Sequence, residues 1–328
     1  MAKAIIRLIS NPIPAKGQTM QDKFGENTIE MVGGAYPFFR HVPGVRDGMD
    51  LRYKAVGPGQ AFTAVLENLP FQVNEFSLAN YTMMRERGVQ WMSAIPVFLN
   101  RAFRHGSVYV RRDSDLTYPS DLRGKTLGAK EYTQTAGVWW RGTMIDEYGL
   151  HWTEVNWVAG PVQRFVPPAE AAVQTVEGDI EQMVVDGKID AFLAPSTVDE
   201  KKPESERQLR PLLPDTETAE RNYFARTGIY PLNHAVVIHQ SCLAKYPAAP
   251  KALFEACCES KKQFCADGGN LNPWGDPPGV DPMPFGLSEK NREVVGTLWR
   301  YLLEQKLISR IPDRDTLFVD GPADFVDA

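Results

Sequence analysis

The sequence predicts an α/β protein of two lobes, and three observations lead there. Short β-like runs alternate with helical patterns along most of the chain, which calls for helices layered on mostly parallel sheets. At 328 residues the chain exceeds one typical core and suits about two domains. No flexible linker splits it once, so the chain is expected to cross between lobes twice, in the runs around 98–108 and 228–238. Lobe 1 then comprises residues 1–105 plus 234–328, with the C-terminal helices, and lobe 2 residues 106–233. A ligand cleft is expected between the lobes.

The elements follow in order. Residues 4–9, 51–56, 73–76, 93–98, 107–111, 126–130, 155–158, 189–194 and 234–238 read as strands. Ser77 is placed to cap a helix over 78–87 that stops at Gly88, and Thr133 one over 134–148 that stops at Gly149. A helix over 179–186 stops at Gly187. Two long helices, 247–267 and 287–307, close the chain, the second with Ser288 as cap. The Gly- and Pro-rich stretch 268–286 between them is expected to be irregular.

Composition narrows the function. The chain is 43% hydrophobic and 23% charged with a net charge of −5 and no Lys/Arg-rich block, so no nucleic-acid partner is expected. Residues 1–10 are a short apolar run interrupted by Arg7 and followed by Asn11-Pro12, which does not read as a signal peptide. No run approaches the ~18 apolar residues of a membrane span. A cytoplasmic location without membrane contact is therefore expected. Cys242, Cys257, Cys258 and Cys265 form no C-x-x-C pair, and buried reduced thiols are expected, three of them on one helix.

The chemistry-bearing residues concentrate where strands end. Arg101, Arg104 and His105 fall within five residues between two strands. A guanidinium fork grips carboxylates, and imidazole titrates near neutral pH. A solvated basic turn is the competing reading. Four further segments converge on the expected cleft: Asn11-Pro12-Ile13-Pro14; the strand-to-helix turn with Ser77 and Asn80; the turn Glu131-Tyr132-Thr133-Gln134-Thr135, followed by Trp139; and the stretch with Arg226, Asn233 and His234. Strand-to-helix turns offer free backbone N–H groups to anions, although Ser77 and Thr133 have capping as an alternative role. Trp139 reads equally as ligand contact or core, and Glu131 as an acid/base or a first-turn carboxylate. His41, His151 and His239 lack such company. Phosphate-loop, dinucleotide, nucleophile-elbow and H-E-x-x-H motifs are absent from the sequence.

At these segments the chain resembles the 4,5-dihydroxyphthalate decarboxylase family. The resemblance is carried by Arg101-Ala-Phe-Arg-His105 with Tyr109-Val-Arg111, Asp121-Leu-Arg-Gly-Lys125, Glu131-Tyr132 with Thr135-Ala136 and Trp139, Arg226-Thr-Gly-Ile229 with Pro231 and His234, and Asp281-Pro-Met-Pro-Phe-Gly286. It implies a type II periplasmic-binding-protein-like fold and cofactor-independent decarboxylation of a hydroxylated aromatic carboxylate, such as 4,5-dihydroxyphthalate to protocatechuate. Arg101 and Arg104 would hold carboxylates, and His105 or His234 would protonate the ring carbon while the other orients a phenol. The chain departs from the family pattern in carrying the polar residues Gln134 and Asn233 where apolar ones are usual, which points to a related aromatic acid as substrate. No cofactor is expected; a divalent metal held by His105 with Glu131 stays an open alternative. So do a non-catalytic solute-binding protein for an aromatic acid, an enzyme of the same fold acting on another small molecule, and a homo-oligomer.

Overall fold

A computed structural model describes residues 25–277, 281–319, 325 and 327. The expected strand over 4–9 and the Asn11–Pro14 segment lie outside these residues. The chain divides into two units. The first is drawn from residues up to Arg101, from Leu232–Val295 and from Pro312 onward; the second is Ala102–Pro231 with Gly296–Ile311.

Almost completely buried runs make the central strands of the first unit. Val73–Ser77 (β4) is buried at every position, and Met92–Arg101 (β5) at all but one. They join Thr28–Gly33 (β1), Gly44–Arg46 (β2), Met49–Ala55 (β3) and the late Leu232–His239 (β12). Among the described residues these form a six-stranded sheet of order β2-β3-β1-β4-β12-β5. β1 runs parallel to β3 and β4, whereas β12 lies antiparallel between β4 and β5. In that register His234 faces Ser77 and Val236 faces Glu75, so alternation puts Glu75 and His234 on one face as diagonal neighbours.

The second unit has its own six-stranded sheet, of order β11-β6-β10-β7-β8-β9. Its strands are Val108–Arg111 (β6), Thr126–Ala129 (β7), Asn156–Ala159 (β8), Gln174–Thr175 (β9), Ala191–Leu193 (β10) and Leu209–Pro211 (β11). Tyr109, Ile180, Val184 and Phe192 pack in its core. Residues 296–311 join this unit rather than the N-terminal one, which differs from the expected grouping of all C-terminal helices with lobe 1. Packing decides this: the buried Gln305 accepts from Arg141 Nε at 2.7 Å and donates to the Val138 carbonyl at 2.9 Å. The expectation of mostly parallel sheets is also corrected. Both sheets are mixed, because β12 runs against both its neighbours in one, and β6 against both β10 and β11 in the other.

Two helix starts position candidate residues. Ser77 caps Leu78–Glu86 by accepting from the Asn80 N–H at 3.2 Å. Thr133 does not cap the next helix. That helix is Thr135–Tyr148 with Gln134 at its N-cap, while Glu131 accepts from both the hydroxyl and the N–H of Thr133. It ends at Gly149, whose φ of 60° suits glycine. The cysteines are free; Cys242, Cys257 and Cys258 are buried, but Cys265 is exposed near the end of Ala249–Ala266, against the expectation of burial. Among the described residues no helix is long and apolar enough to cross a membrane.

Candidate functional site

The first unit builds a polar cluster around Glu75. Its carboxylate is fully buried in β4, and three donors surround it. His234 Nδ1 lies 2.5 Å from Oε1, the Tyr36 hydroxyl donates to Oε1 at 2.6 Å, and the Gly34 N–H donates to Oε2 at 2.6 Å. Burial works to raise the Glu75 pKa. Hydrogen bonding and attraction from His234, then the Tyr36 and Gly34 donors, outweigh it and hold the carboxyl below its usual range. Burial, with the negative charge of Glu75, pushes the Tyr36 hydroxyl far up, so it stays a donor. The His234 side chain retains 16% exposure, and Phe62 meets its ring edge-on at 5.0 Å between centroids. It is oriented, held by a carboxylate and still reachable.

Arg101, in the same unit, is buried at the end of β5. Its Nη2 donates to the Pro284 carbonyl at 2.7 Å and to Asn291 Oδ1 at 2.8 Å, bracing the turn before the helix Glu289–Glu304. That nitrogen is engaged by the protein itself. Ser77 serves as the cap described above, and Asn80 and Asn233 are buried.

The second unit holds His105 in a different setting. It is 3% exposed among aromatic rings, with Tyr223 at 5.2 Å and Phe103 and Tyr148 each at 6.5 Å. Neither ring nitrogen has a hydrogen-bond partner among the described residues. Burial, helped by the positive charge of Arg226, depresses its pKa to about 4, so the imidazole is neutral at pH 7. Arg104 beside it is buried; desolvation pulls its pKa down to about 10, opposed by Tyr230, Glu220 and Tyr109, and it remains cationic at neutral pH. Arg226 is instead more than half exposed and ion-paired with Glu147.

The turn after β7 is largely internally bonded. Burial raises the Glu131 pKa against the pull of Arg164, 3.8 Å away, and of Thr133. Tyr132 lies under the Arg141 guanidinium at 4.0 Å, and its N–H donates to Gln163 Oε1 at 2.9 Å. Trp139 is fully buried, edge-on to Tyr301 at 5.5 Å, which is the packing alternative. Thr135 is buried and Gln134 half-buried. Outside these groups, His151 and His239 accept from backbone N–H groups at element starts, and His41 meets Asp267. Among the described residues no group of three or more His, Cys, Asp or Glu is arranged to hold a metal ion.

Glu75 and Tyr36 are the partners that sequence reasoning missed. A signal existed: Glu75 is a carboxylate inside the strand run Val-Asn-Glu-Phe-Ser, where burial without a partner is expensive.

No family model matches the chain. It is 32% identical over 228 residues to a 4,5-dihydroxyphthalate decarboxylase of Comamonas testosteroni, covering 66% of this chain and 68% of the relative. It is 31% identical over 159 residues to the protein of that name from Pseudomonas putida, covering 45% and 62%, so it spans under two thirds of that second relative. Among solved structures it is similar to the periplasmic aliphatic sulphonate binding protein SsuA from Escherichia coli, with a TM-score of 0.55 at 10% identity, over 90% of this chain and 98% of the other. It is also similar to the desulfurization enzyme DSZB, with a TM-score of 0.51 at 14% identity over 90% and 97%. The fold is thus the periplasmic-binding-protein-like fold expected from the sequence.

Proposed function

The chain belongs to the 4,5-dihydroxyphthalate decarboxylase family, and on that premise we propose that it decarboxylates a hydroxylated aromatic carboxylate, with His234 delivering the proton to the ring carbon. The observation that carries the choice of His234 is its placement: part-exposed, with Nδ1 2.5 Å from the buried Glu75 carboxylate. His105, neutral with a pKa depressed to about 4, is poorly suited to donate at neutral pH.

In the proposed step a phenol para to the carboxylated carbon feeds electron density into the ring. The Nε2–H bond of the imidazolium breaks as a C–H bond forms at that carbon. The C–CO₂ bond pair then returns to the ring, CO₂ leaves, and His234 regains a proton from solvent. One proton is consumed per CO₂ released. A positioned acid contributes roughly 10²–10⁴-fold to such a step.

The test is incubation with 4,5-dihydroxyphthalate and a panel of phthalates and hydroxybenzoates, with and without chelator, following CO₂ and products by chromatography. Release of CO₂ from one compound supports the reading and the chelator arm reports any metal requirement. A ligand-dependent rise in Tm without CO₂ release overturns it in favour of a binding protein.

A further inference from the structure

An ionised carboxylate has no hydrogen to give, so an imidazole nitrogen bonded to it must carry one. Glu75 is held in that ionised form by its surroundings. The hydrogen between Glu75 Oε1 and His234 Nδ1 is therefore retained whether the imidazole is charged or neutral, and only Nε2 is left to exchange a proton.

The rest of the first unit is organised to keep that carboxylate still. Tyr36 shares Oε1 with His234, and is itself approached by Asn100 Nδ2 at 3.4 Å. Gly34 supplies the N–H on Oε2, and Tyr53 in β3 holds the same residue by donating to its carbonyl at 2.5 Å, in the peptide that follows. The close approach leaves no room for side chains. A Cβ on Gly33 would meet Tyr53 Oη at 2.8 Å and Glu75 Oε2 at 3.3 Å, and one on Gly34 would meet the Tyr36 ring at 2.9 Å. β1 and the turn after it, β3, β4 and β12 thus each contribute to one carboxylate. Among the described residues, the groups facing Glu75 are His234, Tyr36, Tyr53 and the Gly34 N–H, and those facing His234 are Glu75 and the Phe62 ring.

We propose that Glu75, fixed by Tyr36 and Gly34, is a positioning residue that locks His234 with its Nδ1 protonated and so makes Nε2 the sole site of proton exchange. This rests on the reading of His234 as the proton donor. Bracing β4 against β12 is the merely structural alternative, and it does not require any particular tautomer.

The experiment is ¹⁵N NMR of the full chain with labelled histidine, taking the His234 signals as those lost in His234→Gln; five histidines keep the spectrum assignable. It is paired with steady-state kinetics of Glu75→Gln and the shape-conserving Tyr36→Phe. Neutral His234 is expected in the Nδ1–H form in the native protein and as a mixture of tautomers in Glu75→Gln. That variant is expected to lose about 10²-fold or more in kcat, with KM changed less than about threefold. Tyr36→Phe, which leaves the carboxylate in place, is expected to lose roughly tenfold in kcat and serves if Glu75→Gln does not fold. A native Nε2–H tautomer overturns the proposal, as does Glu75→Gln retaining kcat within about threefold. An Nδ1–H lock in a protein that turns over none of the aromatic acids supports the positioning role and overturns the decarboxylase reading, so the two failures are distinguishable.

Discussion

His234 in the first unit and His105 in the other share a sequence setting, each at a strand boundary with arginine nearby, yet the fold treats them in opposite ways. His234 sits at the surface of a sheet with a buried anion bonded to Nδ1. His105 is sealed among Phe103, Tyr148 and Tyr223 with neither nitrogen bonded among the described residues. The lesson is that a partner from a distant strand, not the local run of residues, decides whether an imidazole is held against a buried anion or left as a neutral core ring. Glu75 is 159 positions away from His234 in the chain.

The largest effect that would break this contrast is catalytic. His234→Asn is expected to lower kcat about 10²–10⁴-fold in the CO₂-release assay. His105→Leu should leave far more of the neutral-pH turnover; equal losses in the two variants would erase the distinction.

The next effect is on stability. The unfolded chain protonates His105 near its ordinary value of 6.5, the folded chain only near 4. The unfolded state therefore binds more protons across that window, and stability is fully present above about 6.5 and lost as pH falls toward 4. The loss amounts to up to about 3 kcal/mol. Glu75 acts in the same direction but lower down. Its depressed folded pKa contributes stability present above its ordinary value near 4.5 and lost as pH falls below it. Urea unfolding between pH 7 and 5 should thus be steeper in the native protein than in His105→Leu. A parallel decline in both would show that His105 is charged when folded.

The smallest effect sharpens the description of the second unit. Arg226 is more than half exposed and adds only a secondary push on His105. Arg226→Gln should raise the His105 midpoint by less than about half a unit, read by NMR titration. A larger rise would mean that charge rather than burial sets it.

Much of this architecture was legible. The runs that became β4 to β8 and β12 stand out because most of their residues are buried, as do the helices closed by Gly88 and Gly149. Other elements left no such trace. Thr216–Thr227 buries only Tyr223, so it lacks an apolar stripe, and β2 and β9 have three and two residues. Pro58–Leu66 opens with Gly57-Pro58-Gly59, which reads as a turn until Pro58 is seen at the first helical position, where its missing N–H costs nothing. The candidate residues were legible by type but not by partnership. Arg101 was recognisable as a carboxylate-binding side chain, but that Pro284 and Asn291 engage its Nη2 follows only from a contact 183–190 positions away.

The late segment 296–311 has a consequence in time rather than in space. Gln305, the acceptor for the buried Arg141, lies 164 positions further along the chain. While the protein is being made, the second sheet can assemble long before that acceptor emerges. Until then Arg141 Nε is a buried donor with its acceptor missing. Final consolidation of this unit therefore waits until Gln305 has been made, a long-range closure of the kind that slows folding and prolongs the exposure of unfinished surfaces to aggregation.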